Sequence, residues 1–66
     1  MEYIITWIDG TAKRAEHETA KQAFAQASAL IDSGKAGVEI EIPSSRSVVK
    51  GRTILDIYDA IENREP

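Results

Sequence analysis

Cysteine is absent from the chain of 66 residues. Neither a disulfide nor a thiolate metal site can therefore supplement the core, as one usually does in small secreted scaffolds. No stretch approaches the roughly 18 to 20 apolar residues that span a bilayer. Glu2 already stands in a strand-like run, with neither the basic segment nor the apolar segment of a secretory signal ahead of it. A cytosolic protein with no membrane partner is the expectation. A basic excess is also missing. Eleven Asp and Glu against eight Lys and Arg leave a formal net charge of −3, which disfavours nonspecific attraction to phosphate backbones, so direct nucleic-acid binding is not expected. Internal repeats, low-complexity tracts and linkers are lacking too, and residues 1–66 read as one domain.

What is there is ordinary globular material. Apolar residues make up 42% of the chain and charged residues 29%, a balance that folds rather than one that stays disordered. A chain this short buries only about 60% of its unfolded surface, so the core must suffice alone or with the help of a second copy. Tyr3 to Ile8 is a β-rich run closed by Asp9-Gly10, which predicts a hairpin with a type I′ turn. Thr11 to Glu16 is then a second strand, on an edge where Lys13 and Arg14 discourage aggregation, or else an irregular lead-in to a helix.

The segment from Thr19 to Gly37 carries the clearest helical pattern. Thr19 with Gln22 fits a capping box, and Gly34 supplies a left-handed end. Ala20, Ala23, Phe24, Ala27, Leu30 and Ile31 form one apolar stripe, mostly alanine, with Phe24, Leu30 and Ile31 as anchors. In "VEIEIP", Val38, Ile40 and Ile42 share one face of a strand and Glu39 and Glu41 the other, and Pro43 ends it. The tail predicts a helix from Ile54 to Asn63 with Thr53 as N-cap and Asp56 in its first turn. Its β-branched residues also allow an extended segment over 53–58, and "SVVKGRT" a short hairpin centred on Lys50-Gly51. The expected fold is α+β: a small antiparallel or mixed sheet of three to four strands, covered by one alanine-rich helix, with a short C-terminal helix.

Catalytic chemistry finds no constellation. His17, the single histidine, sits beside Glu16 and Glu18 at a strand-to-helix junction, where consecutive residues do not converge on one point. The serines lack a nucleophile-elbow setting. "SGKAG" at 33–37 lacks phosphate-loop spacing and follows a helix instead of preceding one. No cofactor, no metal and no enzymatic activity are expected. Asp56, Asp59 and Glu62 recur every third residue and make an acidic helix stripe, but three side chains of one helix cannot surround an ion. Glu39 and Glu41 are about 7 Å apart along their strand.

Tyr3, Ile5 and Trp7 share one face of the first strand, and Ile4, Thr6 and Ile8 the other. If Tyr3 and Trp7 look away from the helix, the open face is both aromatic and acidic, a protein-binding surface. If they look inward, Trp7 is the largest core residue. Either way the candidate partner-binding set is Glu39, Glu41, Asp56, Asp59, Glu62, Tyr3 and Trp7.

Brevity, acidic balance and the candidate surfaces "VEIEIP" and "DIYDAIENRE" make this chain resemble the small inhibitor proteins of phages and mobile elements, the anti-CRISPR proteins among them. That resemblance implies a DNA mimic whose acidic face docks on the basic channel of a protein partner such as a CRISPR surveillance complex. It would block target DNA there without any reaction. Two other classes stand beside it. One is an accessory or structural domain that self-associates through an exposed sheet, so that the chain is a monomer or a homodimer. The other is a small DNA-binding regulator using Arg46, Lys50 and Arg52.

Overall fold

The computed structural model describes residues 2–63, so the last two residues of "DIYDAIENRE" lie outside it. The elements run β1 (Tyr3–Asp9), β2 (Thr11–His17), α1 (Ala20–Asp32), β3 (Ala36–Ile42), β4 (Ser47–Lys50) and α2 (Arg52–Asn63). The strands form one sheet in the order β2-β1-β3-β4, with every pairing antiparallel. The fold is α+β as expected, and the sheet is antiparallel rather than mixed.

Alternation within the strands sorts the residues into two layers. Ile5, Val38, Ile40 and Val49 point to the inner side of the sheet and are buried there against Ala23, Phe24 and Ala27 of α1 and Ile54 of α2. Both helices thus cover the same face, where α1 alone was expected to be the cover. The alanines explain how α1 lies so close: Ala23 and Ala27 are fully buried with no bulk to hold the helix off the sheet. Phe24 fills the gap between layers, while Leu30 and Ile31 are only half-buried at its margin.

Local chemistry sets the ends of α1. The Gln22 amide donates to Thr19 Oγ1 (3.2 Å), with Thr19 in extended geometry as the N-cap. At the other end Gly34 takes φ +83, its amide donates to the Ile31 carbonyl (2.9 Å), and the Lys35 amide donates to the Leu30 carbonyl (3.0 Å). This is a Schellman closure. Thr19→Ala should cost about 1 kcal/mol in a urea unfolding curve. An unchanged midpoint would mean that the helix entry is held elsewhere.

Three connections differ from expectation. In the first hairpin Ile8 pairs with Ala12, and only Gly10 takes positive φ (+79) while Asp9 does not. The turn is therefore not type I′, which requires positive φ at two successive residues. The strand after "SSRS" pairs back onto β3, with Ile42 opposite Ser47, instead of forming a hairpin at Lys50-Gly51. Arg46 closes that turn in the left-handed region (φ 56), and its amide donates to the Ile42 carbonyl (2.7 Å). Gly51 (φ +54) then turns the chain into α2 and its carbonyl accepts from the Ile54 amide (3.0 Å). The helix consequently begins at Arg52, and Thr53 lies inside its first turn rather than capping it. Residues 53–58 are helical: Ile54, Ile57, Tyr58 and Ile61 turn one apolar face to the core, a pattern an extended segment would split between two faces.

Candidate functional site

The helices leave the outer side of the sheet uncovered, and the strand register fixes what stands on it. One row across the strands reads Glu16, Ile4, Glu41, Val48; the next reads Arg14, Thr6, Glu39, Lys50. At the hairpin end Ala12, Ile8 and Ala36 make a third row. Glu39 and Glu41 therefore project from the outer face beside Ile4, Ile8 and Val48. Ile8 is 50% exposed and Val48 49%.

Two features shape this face. The pairing of β1 with β3 shifts between Thr6 and Ile8, so Gly37 and Val38 together oppose Trp7. That is a bulge with Gly37 in positive φ (+63), the form in which a left-handed glycine bends the strand. A shallow trough of about 470 Å³ opens here around Ile8 and Gly37, and the residues bordering it include Trp7 and the cations Lys13 and Arg14 as well as Glu39. At the opposite end the face is acidic. Arg14 pairs with Glu16 (2.8 Å), so these two charges offset each other, and Glu2 hydrogen-bonds Glu16 beside it.

The Glu2–Glu16 contact raises the Glu2 carboxyl above its ordinary 4.5, because the shared proton and the charge of Glu16 disfavour ionising it, with Glu18 adding to the effect. A carboxyl raised in the folded state contributes stability while pH is below its unfolded value, and that contribution is lost as pH rises through the folded value. Glu16→Gln should bring Glu2 back towards 4.5 in a carboxyl NMR titration. An unmoved Glu2 would show that the two carboxyls do not interact.

The structure separates the seven residues singled out from the sequence into three groups. Glu39 and Glu41 are together on the outer sheet face. Tyr3 and Trp7 point the other way, half-buried against the core with Ile5, so the combined aromatic and acidic face does not form. Asp56, Asp59 and Glu62 are exposed on α2, in the helical layer on the far side of the sheet from Glu39 and Glu41. The two acidic stretches do not share one surface. On α2, the Tyr58 hydroxyl donates to Glu62 (2.5 Å) and the Asn63 amide to Asp59 (3.4 Å), so two of the three acids have partners on their own helix. The first of these bonds holds the Tyr58 phenol above its ordinary value.

His17 stands opposite Tyr3 on the inner side of β2, where its Nε2 hydrogen-bonds Gln26 Oε1 and ties the edge strand to α1. Arg46, Lys50 and Arg52 are distributed over a turn, the outer face of β4 and the start of α2. Among the described residues no group of His, Asp and Glu has the arrangement to hold a metal ion, and no helix is long and apolar enough to cross a membrane.

Sequence reasoning passed over the apolar half of the outer face, Ile4, Ile8 and Val48. The alternation of β1 had already placed Ile4 and Ile8 together, but which set faced outward depended on tertiary packing. Comparison with protein-family models, with curated proteins and with solved structures finds no match to this chain.

Proposed function

We propose that this protein is a non-catalytic binding module that docks through the outer face of its sheet onto a basic, nucleic-acid-binding surface of a protein partner. By occupying that surface it acts as an inhibitor. The observation that carries this reading is the composition of an uncovered face. An antiparallel sheet with one side in water ordinarily alternates apolar-in and polar-out; here Ile4, Ile8 and Val48 stand outward between Glu39, Glu41 and Glu16. Apolar area bordered by charged side chains is the anatomy of a docking patch: Ile4, Ile8 and Val48 supply the centre to be desolvated, and Glu39 and Glu41, among neighbours that include Arg14 and Lys50, supply the steering and register.

Charge chooses the partner. With Arg14 and Glu16 paired to each other, Glu39 and Glu41 have among the described residues of this face one further cation, Lys50, which stands opposite Glu39. A second copy of the chain would bring like charges together, whereas a basic surface complements them. The resemblance to anti-CRISPR proteins makes a CRISPR surveillance complex the partner to test. Purified surveillance complexes of several types would be incubated with this protein and their retention of target duplex followed by gel mobility. The reading expects at least one to release its DNA at moderate salt. Undiminished DNA binding by every complex would remove the inhibitor role.

A further inference from the structure

We infer that the partner presents an extended segment in which one large apolar side chain is followed, at alternate positions, by two basic ones, the apolar one seated in the trough over Ile8 and Gly37. This rests on the outer sheet face being the docking surface, and it names what that surface reads.

The trough is a consequence of the bulge. Two residues of β3 stand opposite Trp7, and the one in positive φ is a glycine. Its missing side chain leaves open the space beside Ile8: a Cβ on Gly37 would lie 3.3 Å from Ile8 Cγ1. Half of Ile8 remains exposed as a result, with Ala12 and Ala36 as its small neighbours across the strands. An apolar side chain from a partner can descend to Ile8 here, and nowhere else on the outer face does the register place an exposed isoleucine between two alanines.

The glutamates then set the spacing. Starting from Ile8, the next outer rows towards the acidic end contain Glu39 and then Glu41. Same-face residues of a strand are about 7 Å apart, so these three stations have the pitch of an extended chain read at every second residue. A segment lying along β1 and β3 with its apolar residue over Ile8 brings the second residue onward to Glu39 and the fourth to Glu41. A basic side chain at the first of those positions meets Glu39, where it competes with Lys50 across the strands, and one at the second meets Glu41, which stands between Ile4 and Val48 with no cation opposite; acidic side chains meet like charge at both.

The probe is the end-capped peptide Leu-Ser-Lys-Ser-Lys, with Ser-Ser-Lys-Ser-Lys as its control, titrated into isotope-labelled protein at low salt and followed by backbone amide shifts. The expected result is saturable shifts at Ile8, Gly37, Glu39 and Glu41 with the leucine peptide and about tenfold weaker binding of the control, since one buried side chain changes affinity by roughly that factor. Ile8→Ser should abolish the difference between the two peptides while its amide spectrum keeps the dispersion of a folded chain. Ile8 is exposed enough for this exchange to leave the fold intact, which Gly37→Ala, strained at φ +63, does not guarantee. Equal binding of both peptides, with shifts at Glu39 and Glu41, would overturn the apolar anchor and leave the acidic docking face standing. No shift on the outer face with either peptide would overturn both.

Discussion

Phe24→Ala should leave the chain largely unfolded at room temperature. Phe24 is 2% exposed and is the largest fully buried side chain, lying between α1 and the inner faces of Ile5 and Ile40. Its neighbours in the same layer are Ala23 and Ala27, which are too small to close over the space its ring would vacate. Truncation of a buried Phe costs about 3–5 kcal/mol. A domain of this length has in total roughly 3–10 kcal/mol, at about 0.05–0.15 kcal/mol per residue. Nothing in the chain offsets such a loss, because it has no cysteine for a disulfide. Trp7, the single tryptophan and half-buried against the same core, reports the transition by fluorescence in urea. A midpoint shift equivalent to less than about 1 kcal/mol would mean that α1 does not pack on the sheet through Phe24.

The second large effect is on binding rather than folding. Reversing both charges with Glu39→Lys and Glu41→Lys should weaken docking on a basic partner about 100-fold, the scale on which opposed charges at a centre of an interface act. The two positions differ in what they do to the fold. Glu41 stands between Ile4 and Val48 on the outer face, so a lysine there meets no charge across the strands. Glu39 stands between Thr6 and Lys50, and a lysine there faces a like charge directly. That costs up to about 1 kcal/mol, or roughly 4–8 °C in Tm for a domain of this size. Glu39→Gln with Glu41→Lys avoids the repulsion, and it should keep most of the binding defect with the smaller thermal shift. Binding lost in proportion to melting, across these variants, would make both residues structural.

Much of the fold follows from local pattern, and each success has a local cause. Thr19 with Gln22, the alanine-rich stripe through Phe24, and Gly34 fix α1 at both ends by chemistry confined to a few neighbouring residues. Val38, Ile40 and Ile42 fix which side of β3 is inner. The departures occur where two elements have to meet. Asp9-Gly10 promises a type I′ turn, but the register of β1 against β2 demands the pairing of Ile8 with Ala12 and so another turn. Thr53 is a good capping residue in isolation, yet Gly51 reverses the chain first and α2 starts ahead of it.

The surface was harder to read for the same reason. Tyr3 and Trp7 against Ile4 and Ile8 is a choice that β1 alone cannot make; it is settled by Ile5 lying under Phe24 and opposite Ile40. Once that is fixed, Glu39 and Glu41 must face outward with Ile4 and Ile8. The bulge at Gly37 has a faint sequence signal, a glycine at the start of an alternating run, and its trough arises only when β1 is laid alongside.

Two acidic surfaces on opposite sides of the molecule make the central proposal directly testable. Glu39→Lys with Glu41→Lys and, separately, Asp56→Lys with Asp59→Lys move the formal net charge from −3 by the same amount, so any general effect of charge is matched between them. At about 0.15 M salt the screening length is near 8 Å, which confines each pair to its own face. Both variants would be compared with the native chain for the concentration needed to release target DNA from a surveillance complex. The account predicts that the sheet pair loses the activity and the α2 pair retains it. Loss with the α2 pair and retention with the sheet pair would contradict it.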